Sequence, residues 1–101
     1  MKYNIKSSRH SKHSMHAHLV FTPKYRKRIF TKEHIDYMKA VFTNICENFE
    51  SKLIEFDGED NHVHLLVQYH PKVAISTLIH SLKGVSSRKL RKKFPIFKKV
   101  Y

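Results

Sequence analysis

The chain has 101 residues, enough for one compact domain with a hydrophobic core and too few for a second folding unit. Lysine and arginine total 20 against 8 acidic residues, a formal charge of +12, so the surface attracts polyanions. Cys46 is the single cysteine and excludes an internal disulfide, no N-terminal secretion signal or membrane-length apolar run is legible, and a cytoplasmic protein that meets nucleic acid rather than lipid is expected.

Residues 1–14 are rich in serine, lysine and histidine without apolar periodicity, and read as a flexible basic arm. The folded domain is expected over 15–101. From Met15, the residues Ala17, Leu19 and Phe21 alternate with His16, His18, Val20 and Thr22, the period-two pattern of a strand that Pro23 ends. A basic turn from Lys24 to Arg28 leads to Thr31, a helix N-cap. Ile35, Met38, Phe42, Ile45 and Phe49 then recur at three and four residues, one apolar stripe on a helix.

Leu53–Phe56 reads as a short strand, Asp57-Gly58 as a hairpin turn, and Asn61–Tyr69 as the returning strand. After Pro71 the helical spacing resumes at Ile75, Leu78, Ile79, Leu82 and Val85 and is extended by Leu90 and Phe94, with Pro95 closing it. Gly84 inside this helix marks a kink or a close backbone approach. The order strand, helix, strand, strand, helix is an α+β arrangement, a ferredoxin-like split β-α-β-β-α-β unit with antiparallel sheet and helices on one face, still short of its last strand.

His62 and His64 are two apart on a strand, so both imidazoles share a face while Val63, Leu65 and Val67 take the other. A pair of this kind is compatible with surface or structural histidines, or with chelation of one divalent ion that keeps open positions. Glu59, Asp60 and Asn61 stand next to it as oxygen donors, none assignable as a ligand from spacing. His16 and His18 form a second such pair, readable as the polar members of an alternating strand; if that strand lies beside Asn61–Tyr69, His18 neighbours the site.

Eight basic residues fall between Lys83 and Lys99 with few acids to pair with them. Lys83, Arg88, Lys89, Arg91, Lys92 and Lys93, with the hydroxyls of Ser86 and Ser87, suit a surface that grips phosphate backbone rather than reads bases. Lys24, Tyr25 and Arg26 in the basic turn extend that surface, with Tyr25 available to stack on a base.

Three blocks together, His18-Leu19-Val20-Phe21-Thr22-Pro23-Lys24-Tyr25-Arg26, His62-Val63-His64-Leu65-Leu66-Val67, and Leu82 to Arg91 followed by Phe94-Pro95, closely resemble the insertion-sequence 200-like single-tyrosine transposases of the His-hydrophobe-His class. The resemblance implies a metal-dependent enzyme acting on single-stranded DNA at hairpin transposon ends. His62 and His64 would hold Mg2+ or Mn2+, and a tyrosine would form a 5′-phosphotyrosine link. It also implies a homodimer, and a further strand and tyrosine-bearing helix beyond the position of Tyr101.

On that comparison the chain stops before the nucleophile, and is expected to be inactive alone. None of its own tyrosines replaces it: Tyr69 lies about 17 Å along the strand from His64 and on the other face, Tyr37 is expected to face solvent, Tyr3 sits in the arm, and Tyr101 precedes the expected strand. The alternative is a non-catalytic remnant that binds hairpin or single-stranded DNA. A ferredoxin-like RNA-binding domain is a third reading, but it requires aromatic residues on the open sheet face, where histidines are expected.

Overall fold

A computed structural model describes the backbone of residues 2–9 and residues 15–99, with side chains described over 15–98. Its four strands are β1 (Lys2–Arg9), β2 (Met15–Thr22), β3 (Lys52–Glu59) and β4 (His62–Tyr69), and its two α-helices are α1 (Lys32–Asn48) and α2 (Ile75–Lys93). The sheet is antiparallel throughout, in the order β1-β2-β4-β3. The α+β expectation is met.

The sheet departs from the sequence reading at its N-terminal edge. Residues 2–9, expected within a flexible arm, form a strand paired with β2 from Lys2↔Thr22 to Arg9↔Met15. Tyr3 and Ile5 are the only apolar residues in Lys2–Arg9, an alternation too short to signal a strand that pairs along its backbone with a neighbour. Residues 10–14 and Tyr101 lie outside the described residues.

Each helix shows why its sequence forms it. Thr31 caps α1: its Oγ1 accepts from the His34 amide at 3.3 Å, while His34 Nδ1 accepts from the Thr31 amide at 3.0 Å. A histidine thus takes the place usually held by Glu or Gln in a capping box. The His34 ring also meets Phe94 and Phe97 edge-on at centroid distances of 4.5 and 4.6 Å, so this histidine is structural. Helix α2 ends at Lys93 where Phe94 caps it, and Pro95 opens a short 3-10 turn, Pro95–Lys99, that buries Phe97.

Both helices cover one face of the sheet. Ala17, Leu19 and Phe21 of β2 and Val63, Leu65, Val67 and Tyr69 of β4 pack with Met38, Phe42 and Ile45 of α1 and Leu78, Leu82 and Leu90 of α2 in one core. Burying each aliphatic or Phe side chain contributes about 1.5–3 kcal/mol, which fixes the register, because a one-residue slip of β4 would turn the histidines inward. Their opposite face is left without a helix among the described residues.

Two local expectations are corrected. The hairpin turn is Asp60-Asn61, not Asp57-Gly58, and β3 runs through Gly58 to Glu59, facing His62. Gly58 is there for closeness: a Cβ would lie 3.0 Å from Val63 Cγ1 and 3.2 Å from two methyl carbons of Ile35. Gly84 shows neither a kink nor a backbone neighbour, since α2 is continuous and the one atom an added Cβ would meet is Arg88 Nη1, at 3.4 Å. Tyr37, expected in solvent, is half-buried against Phe94 at 5.7 Å with Lys93 Nζ 4.9 Å above its ring.

Candidate metal and nucleic-acid site

Strand alternation puts His62 and His64 on the open face, each half-buried, while Val63, Leu65 and Val67 are fully buried on the other. β2 runs beside β4 with Val20↔His64 and His18↔Leu66, so His18 stands diagonally next to His64. Its Nδ1 is 3.3 Å from His64 Nε2, with the rings 5.4 Å apart and 30° from parallel. One ring nitrogen of that pair carries the proton and the other accepts it.

Asn61, in the hairpin turn, fixes its neighbour. Its Oδ1 lies 2.9 Å from His62 Nδ1, so that nitrogen donates and Nε2 remains the basic position. The two histidines, Asn61, Val20, Thr22 and Arg26 line one open cleft of about 360 Å3.

The loop that brings Arg26 there is tied to the same hairpin. The Phe30 amide donates to the Asp60 carbonyl at 2.9 Å, and the Arg28 guanidinium reaches both Asp60 carboxylate oxygens at 3.2 and 3.3 Å. Asp60 is thereby engaged as an anchor. Asp57 accepts from the Gly58 amide at 2.9 Å, and Asp57, Glu59 and Asp60 together line a different depression with Lys32 and Lys39.

The donor set therefore comprises two imidazoles one strand repeat apart and an adjacent amide. Among the described residues, no three His, Cys, Asp or Glu side chains converge to enclose an ion. A two-imidazole half-site fits a divalent cation that takes its remaining ligands from water or phosphate oxygens. It does not fit a closed structural site.

The basic candidates divide between two layers. Arg88, Lys89, Lys92 and Lys93 are exposed on α2, and Lys83, Ser87 and Arg91 are half-buried, with Arg91 Nη1 donating to Ser87 Oγ at 2.5 Å. Ser86 is corrected: it is fully buried, its hydroxyl donating to the Lys83 carbonyl at 3.2 Å, and it offers nothing to a phosphate. It falls on the core side of α2, one turn from Leu82 and Leu90. Lys24, Tyr25 and Arg26 are exposed, and Arg26 lines the histidine cleft, on the other side of the sheet from the helices, rather than the α2 surface.

Sequence reasoning found the histidine pair through its period of two. It named His18 only conditionally, because strand order is not written in any local pattern, and it gave no signal that Arg26 enters the cleft. Cys46, fully buried in α1, has its thiol pushed up to about 12 by burial and by nearby Glu47, so it is not a nucleophile or a metal ligand at neutral pH. No helix among the described residues is long and apolar enough to cross a membrane.

Comparison with known proteins bears on this geometry. The family described as "Transposase IS200 like" matches residues 11–101. The transposase for insertion sequence element IS200 of Salmonella typhimurium is 32% identical over 89 residues, covering 88% of this chain and 59% of that protein. The ISDra2 transposase TnpA of Deinococcus radiodurans is 29% identical over 94 residues, covering 93% of this chain and 67% of its own length. A provisionally assigned transposase from Deinococcus radiodurans R1, solved by crystallography, superposes with a TM-score of 0.79 at 25% identity, covering 94% of this chain and 77% of that one. The chain thus spans 59% of the length of the Salmonella relative, and the match over 11–101 means that it belongs to the IS200-like transposase family.

Proposed function

We propose that this chain is the metal- and DNA-holding part of a transposase that cuts and rejoins single-stranded DNA at hairpin ends. The observation that carries the proposal is the open-face cleft in which His62, oriented by Asn61, and His64 stand beside Arg26. A divalent ion bound there would withdraw charge from a scissile phosphate and stabilise the transition state. Two imidazoles favour manganese over magnesium, since imidazole is the softer donor.

The residues of the chain divide the remaining work. His62 presents Nε2 because Asn61 holds Nδ1, and the Arg26 guanidinium supplies a cation for phosphate oxygens. The nucleophile in this reading is a tyrosine from beyond the described residues, in the same protein or in the partner of a homodimer. Its oxygen bonds to phosphorus, the P–O3′ bond breaks, and the 3′ oxygen leaves as a hydroxyl after taking up a proton. The resulting 5′-phosphotyrosine conserves the ester for rejoining.

We assign that role to none of the described tyrosines. Tyr69 is 4% exposed on the core face, Tyr37 of α1 is half-buried against Phe94, and the exposed Tyr25 is read as a ring that stacks on a base. In this reading the chain needs that tyrosine for activity and acts on DNA in the cytoplasm. The test is to incubate it with manganese and labelled single strands, with and without a full-length relative. Adduct formation that needs both, and disappears in His62→Ala or His64→Ala, supports the reading; a covalent adduct on this chain alone contradicts it.

A second reading, a DNA-binding module without chemistry, draws on the net charge of +12 and the exposed Arg88, Lys89, Lys92 and Lys93 of α2. It predicts single-strand binding that survives His62→Ala and His64→Ala but not neutralisation of Arg88, Lys89, Lys92 and Lys93. In both readings, neutralising six to ten phosphates makes affinity fall about 10³- to 10⁵-fold between 50 and 200 mM salt. A flat salt response contradicts both.

A further inference from the structure

We propose that the Tyr25-Arg26 turn is a preformed nucleotide clamp at the mouth of the histidine cleft, with Arg26 binding a backbone phosphate and Tyr25 stacking on the base next to it. The proposal rests on the single-stranded DNA reading above and assigns a positioning role to two residues within it.

The backbone is the first observation. Tyr25 and Arg26 have φ of 61° and 52°, two successive side-chain-bearing residues in the left-handed region that glycine ordinarily fills. For a bulky aromatic residue such a conformation is costly, and it persists only where the surroundings impose it. Here they do. The Arg26 amide donates to the Pro23 carbonyl at 3.0 Å, closing the turn on a buried proline, and Phe30 and Arg28 pin the far end of the loop to Asp60.

The second observation is what the conformation accomplishes. Arg26 lines the cleft with His62 and His64, whereas Tyr25 is 80% exposed, more than any other large apolar side chain described. Neither placement serves the core. Lys24 Nζ sits 5.3 Å from the Tyr25 ring centroid, so a cation already borders the ring. An exposed ring bordered by a lysine, next in sequence to an arginine that lines the histidine cleft, matches how single strands are held: backbone to cations, bases to aromatic faces. The same turn on a neutral protein would suit a protein partner; a net charge of +12 favours nucleic acid.

Tyr25→Gly separates the ring from the backbone, because glycine adopts the left-handed conformation freely and keeps the turn. The probe is a set of single-stranded oligonucleotides with 2-aminopurine moved one position at a time along a fixed sequence. The wild-type chain is expected to quench fluorescence strongly at one position. Tyr25→Gly should abolish that quench and weaken binding roughly 5- to 100-fold, while Tyr25→Phe preserves both. Arg26→Ala should weaken binding and flatten the salt slope by about one ion, with Arg26→Lys recovering the slope.

If the wild-type chain binds no single strand, the underlying DNA reading fails. If it binds and Tyr25→Gly quenches and binds like wild type, the clamp alone is overturned. A Tyr25→Gly chain that differs from wild type only in self-association, measured by sedimentation, makes the turn a protein contact and also overturns the proposal.

Discussion

Replacing Gly58 by alanine tests whether this residue provides space for a close approach or serves as a turn device. The added Cβ would stand 3.0 Å from Val63 Cγ1 and 3.2 Å from Cδ1 and Cγ2 of Ile35, where ordinary contact begins near 3.4 Å. Val63 is fully buried and has no room to retreat, whereas Ile35 is half-buried and can give partly. Overpacking of this kind costs about 1–3 kcal/mol. The loss of glycine's backbone freedom returns about 0.5–1 kcal/mol, leaving a net destabilisation of roughly 1–2 kcal/mol.

For a chain of this length that is a fall in Tm of about 5–15 °C, readable by calorimetry or circular dichroism. Pairing Gly58→Ala with Ile35→Val should restore part of the loss, since the two residues touch and their effects couple. Val63 lies between the two histidines, so manganese affinity should fall along with stability. A Gly58→Ala chain that melts at or above the wild-type temperature would refute the close-packing account.

Asn61→Ala should weaken manganese binding about 10- to 100-fold with little change in Tm, because it frees the His62 ring to rotate; unchanged affinity in a calorimetric titration means that something else orients His62. Ser86→Ala should leave single-strand affinity unchanged and cost at most about 1.5 kcal/mol of stability, the worth of its hydrogen bond to the Lys83 carbonyl, and a tenfold loss of DNA binding would contradict the burial of that hydroxyl. The Cys46 thiol is raised from 9.0 to about 12 in the folded chain, so its protonated form belongs to the fold and the unfolded chain releases the proton first. Stability should therefore be lost as pH rises from about 9 towards 12. This alkaline component should be missing from Cys46→Ala, as measured by the difference in denaturant midpoint between the two chains; equal pH profiles would remove burial of the thiol as its cause.

Strand and helix periods were legible because they are local. Alternation in His62–Tyr69 placed both histidines opposite Val63, Leu65 and Val67, and the stripe through Met38, Phe42 and Ile45 marked the buried side of α1. Misreadings arose where one signal has two physical causes. Asp57-Gly58 has the composition of a turn, but this glycine serves a close approach by α1 and the chain turns at Asp60-Asn61. Ser86 sits in a basic run, yet its helical phase points it into the core, and its polarity is satisfied one turn back by the Lys83 carbonyl.

What the sequence determines by itself is therefore the periodic part of the molecule: two amphipathic helices, the β2, β3 and β4 strands, and a histidine pair confined to one face, because each depends on spacing between near neighbours. Tertiary structure alone decided that β1 closes the edge beside β2, that His18 reaches His64, and that Arg26 turns into their cleft. Those contacts join residues far apart in the chain, through backbone pairing and a left-handed turn held by distant anchors, and no local pattern of residue types encodes such geometry.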